Sequence, residues 1–156
     1  VLLLSLAFAL PQPNPVRSVD EATLASLLRS KHEGALMVNF FTTWCAPCAA
    51  EMPMLQTVLA AHPRASAVFV SLDAAGDSAQ VQALVDRVGL ASPVVHLQAT
   101  DPAAAMTRIL PDWPERIPVT MVFAPDGSLH KRFVGLVTAS QLSPSLVAWD
   151  LPAPNP

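Results

Sequence analysis

Unbroken apolar runs alternate along this chain with stretches whose apolar positions recur every three or four residues, a pattern that predicts buried strands covered by helices. Ala35 to Phe41 is almost continuously apolar and is predicted as a central strand, with Ala67 to Leu72 and Pro93 to Leu97 as further buried strands. Val81, Leu84, Val85 and Val88 follow helical spacing across Ser78 to Val88, and Gly89 supplies the stop. A helix from Cys45 to about Ala61 should bend at Pro53, and Pro102 to Leu110 reads as a short helix opened by its proline. Ala124-Pro125-Asp126-Gly127 joins the strands Val119 to Phe123 and Ser128 to Val134 into a hairpin. The last helix runs from an N-cap at Thr138 to Trp149, across Pro144. Near the other end, Ser18-Val19-Asp20-Glu21 matches a capping box in which Glu21 reaches back to Ser18, opening a helix that buries Leu24, Leu27 and Leu28 and ends near Lys31. Together these elements describe an α/β domain with a central mixed sheet and helices on both faces.

Composition narrows the picture. With 156 residues, 52% of them hydrophobic and 13% charged, the chain has material for one core and one domain. A net charge of -3 and the lack of any lysine or arginine run exclude nucleic acid as a partner. Val1 to Leu10 has the apolar length of a signal-peptide core and ends in the small-x-small pattern Ala7-Phe8-Ala9, whereas a membrane span needs about 20 apolar residues. Residues 1–10 therefore read as a signal peptide or a truncated membrane anchor, 11–17 as a proline-rich spacer, 18–150 as the folded domain and 151–156 as a proline-rich tail. Export places the domain outside the reducing cytosol, in a periplasmic setting, soluble or tethered through its N-terminus.

The chemistry lies in two cysteines, the whole complement of the chain, three residues apart in Trp44-Cys45-Ala46-Pro47-Cys48 between the predicted central strand and its helix. Residues i and i+3 on a helix lie close enough for a disulfide. Closing so short a loop constrains the unfolded chain little, so reactivity explains the pair better than stability does.

Trp-Cys-x-Pro-Cys after a buried strand, then an isolated Ile117-Pro118 opening a later strand and hairpin, resembles the thioredoxin superfamily. Within it, Val38-Asn39-Phe40-Phe41-Thr42-Thr43-Trp44-Cys45-Ala46-Pro47-Cys48-Ala49-Ala50-Glu51-Met52-Pro53 and Thr120-Met121-Val122-Phe123-Ala124-Pro125-Asp126-Gly127 are similar to the exported TlpA/ResA-like branch. The resemblance spans about Val19 to Trp149 and implies a thioredoxin-like fold with a strand-helix insertion before the proline. Two departures stand out. Asn39 replaces the buried aspartate of cytosolic thioredoxins, and Glu115-Arg116-Ile117-Pro118 replaces the glycine-rich acidic stretch of cytochrome c maturation members.

The resemblance implies a thiol-disulfide oxidoreductase, most simply a reductant of protein disulfides, with no cofactor beyond the redox-active Cys45-Cys48 disulfide. Cys45, at the helix N-terminus, would be the nucleophile and Cys48 the resolving thiol. Glu51, three residues on, would take the proton from Cys48. Pro118 would be cis, leaving the Ile117 backbone free for an extended substrate, with Trp44 shielding the pair and helping to dock the partner. Strongly oxidising members carry a histidine between the cysteines, so Ala46-Pro47 points to reduction. Electrons would come from a membrane donor of the DsbD/CcdA type. Trp113 and Trp149 read as packing residues, and His62, His96 and His130, lacking paired spacing, as solvated or satisfied side chains. The leading non-enzymatic alternative is a Cu(I) site on the CxxC pair with Met52 and Met54 nearby. A peroxidase reading of Thr42-Thr43-Trp44-Cys45 lacks the upstream proline that such sites carry.

Overall fold

The computed structural model describes residues 14–150. The expected signal segment, residues 11–13 of the spacer and the tail lie outside them. One six-stranded sheet carries the fold. Its strands are β1 (Arg17–Val19), β2 (Leu36–Phe41), β3 (Ser66–Ser71), β4 (Val94–Leu97), β5 (Val119–Phe123) and β6 (Leu129–Val134), in the order β1-β4-β3-β2-β5-β6. The helices are α1 (Glu21–Arg29), α2 (Ala46–Ala60), α3 (Ser78–Val88), α4 (Pro102–Ile109) and α5 (Ala139–Val147).

All six residues of β2 are buried, and it pairs in parallel with β3 and antiparallel with β5, which makes it the central strand its sequence predicts. Alternate side chains feed separate cores, as the strand period of two requires. Leu36, Val38 and Phe40 pack with Leu24 and Leu28 of α1 and Met106 of α4, while Met37 and Phe41 pack with Met52 of α2, Leu84 of α3 and Leu142 of α5. Asn39 shares the second face, so its amide is buried beneath α2. Helix α2 continues through Pro53, and α5 through Pro144.

The start of the domain differs from expectation. Ser18 does not cap α1: it lies in β1, paired in parallel with His96 of β4. Asp20 is the N-cap, its Oδ1 accepting the Thr23 N–H at 2.7 Å, a place where a carboxylate gains from the helix dipole more than a hydroxyl does. Glu21 does not reach back but meets the Arg108 guanidinium on α4, with Nε to Oε2 at 3.0 Å. The end of the expected spacer is also part of the fold. Asn14 Nδ2 donates to the carbonyls of Leu90 and Ser92 at 2.9 and 2.7 Å, and the Val16 N–H donates to Gln82 Oε1 on α3 at 2.9 Å. Among the described residues no helix is long and apolar enough to cross a membrane.

At the hairpin, Gly127 has φ +87°, and a Cβ there would lie 2.5 Å from the Arg29 carbonyl, so the turn that seats β6 against the end of α1 requires glycine.

Candidate functional site: a disulfide at a helix N-terminus

β2 delivers the chain to the C-terminal edge of the parallel strands, and the next residues turn into α2. The Cys45 N–H donates to the Thr42 carbonyl at 3.2 Å, closing that turn, and Cys45 becomes the N-cap of α2. Its Sγ accepts the Cys48 N–H at 3.3 Å, taking the place that a serine or aspartate oxygen fills at other helix starts. The two sulfurs are joined, with the Cα atoms 5.3 Å apart. Cys45 keeps 7% of its surface exposed and Cys48 none, so only the first is open to an incoming sulfur. No acidic residue occupies the first turn of α2, and no basic one its last. In the reduced form, the helix N-terminus and this N–H would favour the Cys45 thiolate.

Glu51 lies one turn beyond Cys48 and is 5% exposed. Oε1 accepts from Asn39 Nδ2 at 3.0 Å and Oε2 from the Val137 N–H at 3.2 Å. Burial pushes its carboxyl above the ordinary value, and the bonds from Val137 and Asn39 draw it part of the way back. The other hydrogen of the Asn39 amide goes to Thr120 Oγ1 at 3.0 Å on β5, while Asn39 Oδ1 is buried without a partner. Glu51 is thus a carboxyl held in apolar surroundings by two donors.

The Ile117-Pro118 peptide is cis, and the Pro118 carbonyl accepts the Gly135 N–H at 2.8 Å. Neither backbone group of Ile117 has a backbone partner among the described residues. Trp44 projects into solvent, 76% exposed, so it is not core filling. Beside it runs a groove of about 770 Å³ lined by Trp44, Leu72, Pro102, Trp113, Glu115 and Ile117, among others. Trp113 forms the apolar floor, 8% exposed and edge-on to Phe40 with ring centroids 4.9 Å apart.

Trp44 and Ile117 therefore line one groove, Cys45 follows Trp44 with 7% of its surface exposed, and Pro118, Cys48 and Glu51 are buried. Asp73, directly after the predicted strand Ala67 to Leu72, is a further residue of the site to which the sequence assigned no role. It is a buried carboxylate bonded to Thr43, two residues before Cys45. An acidic residue closing an apolar strand, after the serine at 71, was the signal for it.

The histidines are satisfied structurally. His96 bonds Ser78 and the Asp73 carbonyl, and His130 packs edge-on against Trp149. His62 Nδ1 meets Asp150 Oδ2 at 2.5 Å, and its Nε2 meets Ser143 Oγ at 2.8 Å. That atom order is the one of a hydrolytic triad. Ser143 lies inside α5, however, where backbone N–H groups serve the helix and Pro144 has none, so no oxyanion site accompanies it. Met52 is buried in the core and Met54 is partly exposed, and among the described residues no three His, Cys, Asp or Glu side chains gather as a metal site. The Cu(I) reading gains no support.

A disulfide-bonded cysteine pair opening the helix after a central strand, with a cis-proline before β5, defines a CxxC site on a thioredoxin-like fold. Residues 8–132 match the model of the AhpC/TSA family, and the chain belongs to that family. It is 28% identical over 124 residues to the thiol-disulfide oxidoreductase ResA of Oceanobacillus iheyensis, covering 79% of this chain and 62% of that protein. The chain thus spans a little under two thirds of that relative's length. Among solved structures, StoA from Bacillus subtilis shares the fold at a TM-score of 0.57 and 23% identity, covering 74% of this chain and 84% of StoA. A thiol:disulfide interchange protein of the thioredoxin family from Chlorobium tepidum does so at 0.62 and 21%, covering 81% and 84%.

Proposed function

We propose that the chain is an exported thiol-disulfide oxidoreductase that reduces disulfides in partner proteins. The observation that carries this reading is the asymmetry of the pair: Cys45 keeps 7% of its surface exposed and its Sγ receives a helix N–H, and Cys48 is fully buried one turn behind. In the reduced protein the Cys45 thiolate attacks one sulfur of the partner's disulfide, forming a mixed disulfide and releasing the other sulfur as a thiolate that takes up a proton. Cys48 then gives its proton to Glu51 and attacks the Cys45 sulfur. The Cys45-Cys48 disulfide forms, the partner's second sulfur leaves as a thiolate that takes up a proton, and the partner, now a dithiol, has gained two electrons.

The partner would lie across Trp44 and the unpaired backbone of Ile117, with its flanking residues along the groove floored by Trp113. The direction of transfer follows from what stabilises the thiolate. Only backbone dipoles do so here, since Ala46 and Pro47 separate the cysteines, whereas strong oxidants owe their potential to a strongly stabilised reduced form. The apolar run ending in Ala7-Phe8-Ala9 supports export to the periplasm, where a membrane donor of the DsbD/CcdA type would restore the dithiol.

Trapping tests the proposal. Cys48→Ala should hold a partner on Cys45 as a mixed disulfide that mass spectrometry identifies and dithiothreitol releases, and Cys45→Ala should hold none. No trapped species with Cys45 intact would count against the enzyme.

A further inference from the structure

We propose that Asp73 is a positioning residue for disulfide exchange, clamping Thr43 so that Trp44 and Cys45 stand in the orientation a protein partner requires. The inference rests on the oxidoreductase reading above. Asp73 is 2% exposed, and both its carboxylate oxygens are committed. Each accepts the Thr43 N–H at 3.0 Å, Oδ1 also accepts Thr43 Oγ1 at 2.6 Å, and Oδ2 accepts Ser71 Oγ at 2.8 Å. All these donors are neutral groups, so Asp73 is held by hydrogen bonds from Thr43 and Ser71 and not by an ion pair among the described residues.

Asp73 is in turn held from behind. A carbonyl only accepts, so His96 Nε2, 3.1 Å from the Asp73 carbonyl, carries the proton. Nδ1 is then free to accept from Ser78 Oγ at 3.0 Å, at the start of α3. Ser78, His96, Asp73 and Thr43 form one chain of bonds from α3 to the reactive turn.

Packing does not do this work at the turn. Trp44 is 76% exposed and has little around it to fix its direction. Its backbone is bracketed by Thr43, bound to Asp73, and by Cys45, whose N–H closes on the Thr42 carbonyl. Releasing Thr43 frees Trp44 first. A small disulfide needs only the Cys45 sulfur, but a protein disulfide also needs Trp44 beside Ile117, so the two substrates should separate.

The test compares Asp73→Asn, Thr43→Val and Thr43→Ser in the full chain. Asp73→Asn and Thr43→Val should lower kcat/KM for reduction of insulin about tenfold through KM, the size expected for losing a bond to a charged acceptor. Attack of Cys45 on a small aromatic disulfide should change less than twofold, and Thr43→Ser, which keeps the hydroxyl, should match the wild type. Nitrogen-15 relaxation of the Trp44 indole N–H should report added motion in Asp73→Asn. An equal fall with both substrates, no fall with either, or an unaltered Trp44 indole overturns the inference. Should the wild type reduce neither substrate, the oxidoreductase reading fails, while the Trp44 relaxation still decides whether the clamp exists.

Discussion

Replacing Glu51 with glutamine removes the buried carboxyl one turn beyond Cys48 while nearly preserving shape. The side-chain oxygen of glutamine can still accept from the Val137 N–H, and its amide can donate to Asn39 once the Asn39 amide turns its oxygen toward position 51 in place of the Nδ2 that faces Glu51. The fold should tolerate the change, which leaves proton transfer as the perturbed quantity. An ordinary thiol, with a pKa of about 8.5, is only about 3% ionised at pH 7. A base that removes the proton during attack can therefore accelerate resolution by about 30-fold or more at pH 7, within the range seen for general bases. A symmetric aromatic disulfide that releases a coloured thiol separates the steps. The first equivalent reports attack by Cys45, and the second reports resolution by Cys48. Glu51→Gln should leave the first phase near its wild-type rate and slow the second by tenfold or more at pH 7, with the gap narrowing as pH rises through the thiol's own pKa. A second phase with wild-type rate and wild-type pH dependence would refute the role. Stability gives an independent check. Because burial raises the folded pKa of Glu51, its ionisation opposes folding: stability falls as pH rises from the ordinary value of 4.5 through the raised one, and Glu51→Gln should lose that slope.

Two other predictions concern separate parts of the molecule. Trp44→Ala should leave urea stability within about 0.5 kcal/mol of wild type, since the side chain is mostly in solvent, yet slow reduction of insulin severalfold; an unchanged rate would remove Trp44 from the docking surface. His62→Ala should cost about 1.5 to 3 kcal/mol in urea unfolding by leaving the partly buried Asp150 carboxylate and Ser143 without their partner, with no effect on disulfide exchange. A loss of exchange activity at full stability would contradict the structural role of His62.

How much of this was legible in the sequence depends on where each residue's partners lie. β2 could be read because both faces are covered and its apolar run is unbroken, and α3 because its spacing and Gly89 are local signals. The cysteine pair needed only its own five residues. β1 could not be read: it is three residues long, two of them exposed, and it exists because the edge of β4 offers backbone partners. The capping box failed for the same reason, since pairing with β4 takes Ser18 out of competition and leaves Asp20 to cap α1. Glu51 was found by helical spacing and resemblance, but its environment was not. Asn39 lies 12 residues away and Val137 lies 86 away, and only the packing of α2 over β2 unites them. Asp73 lies 30 residues from Thr43, with no local pattern to join them.

The central claim is that one sulfur is ionised and open while its neighbour is buried. Timed alkylation of the fully reduced protein, read by mass spectrometry with the modified cysteine mapped at each pH, measures this directly. The account predicts that Cys45 alkylates first, with a titration midpoint below the ordinary thiol value of about 8.5, and that Cys48 stays protected in the same interval. Equal, slow modification of both cysteines, or a Cys45 midpoint at or above that value, would contradict it.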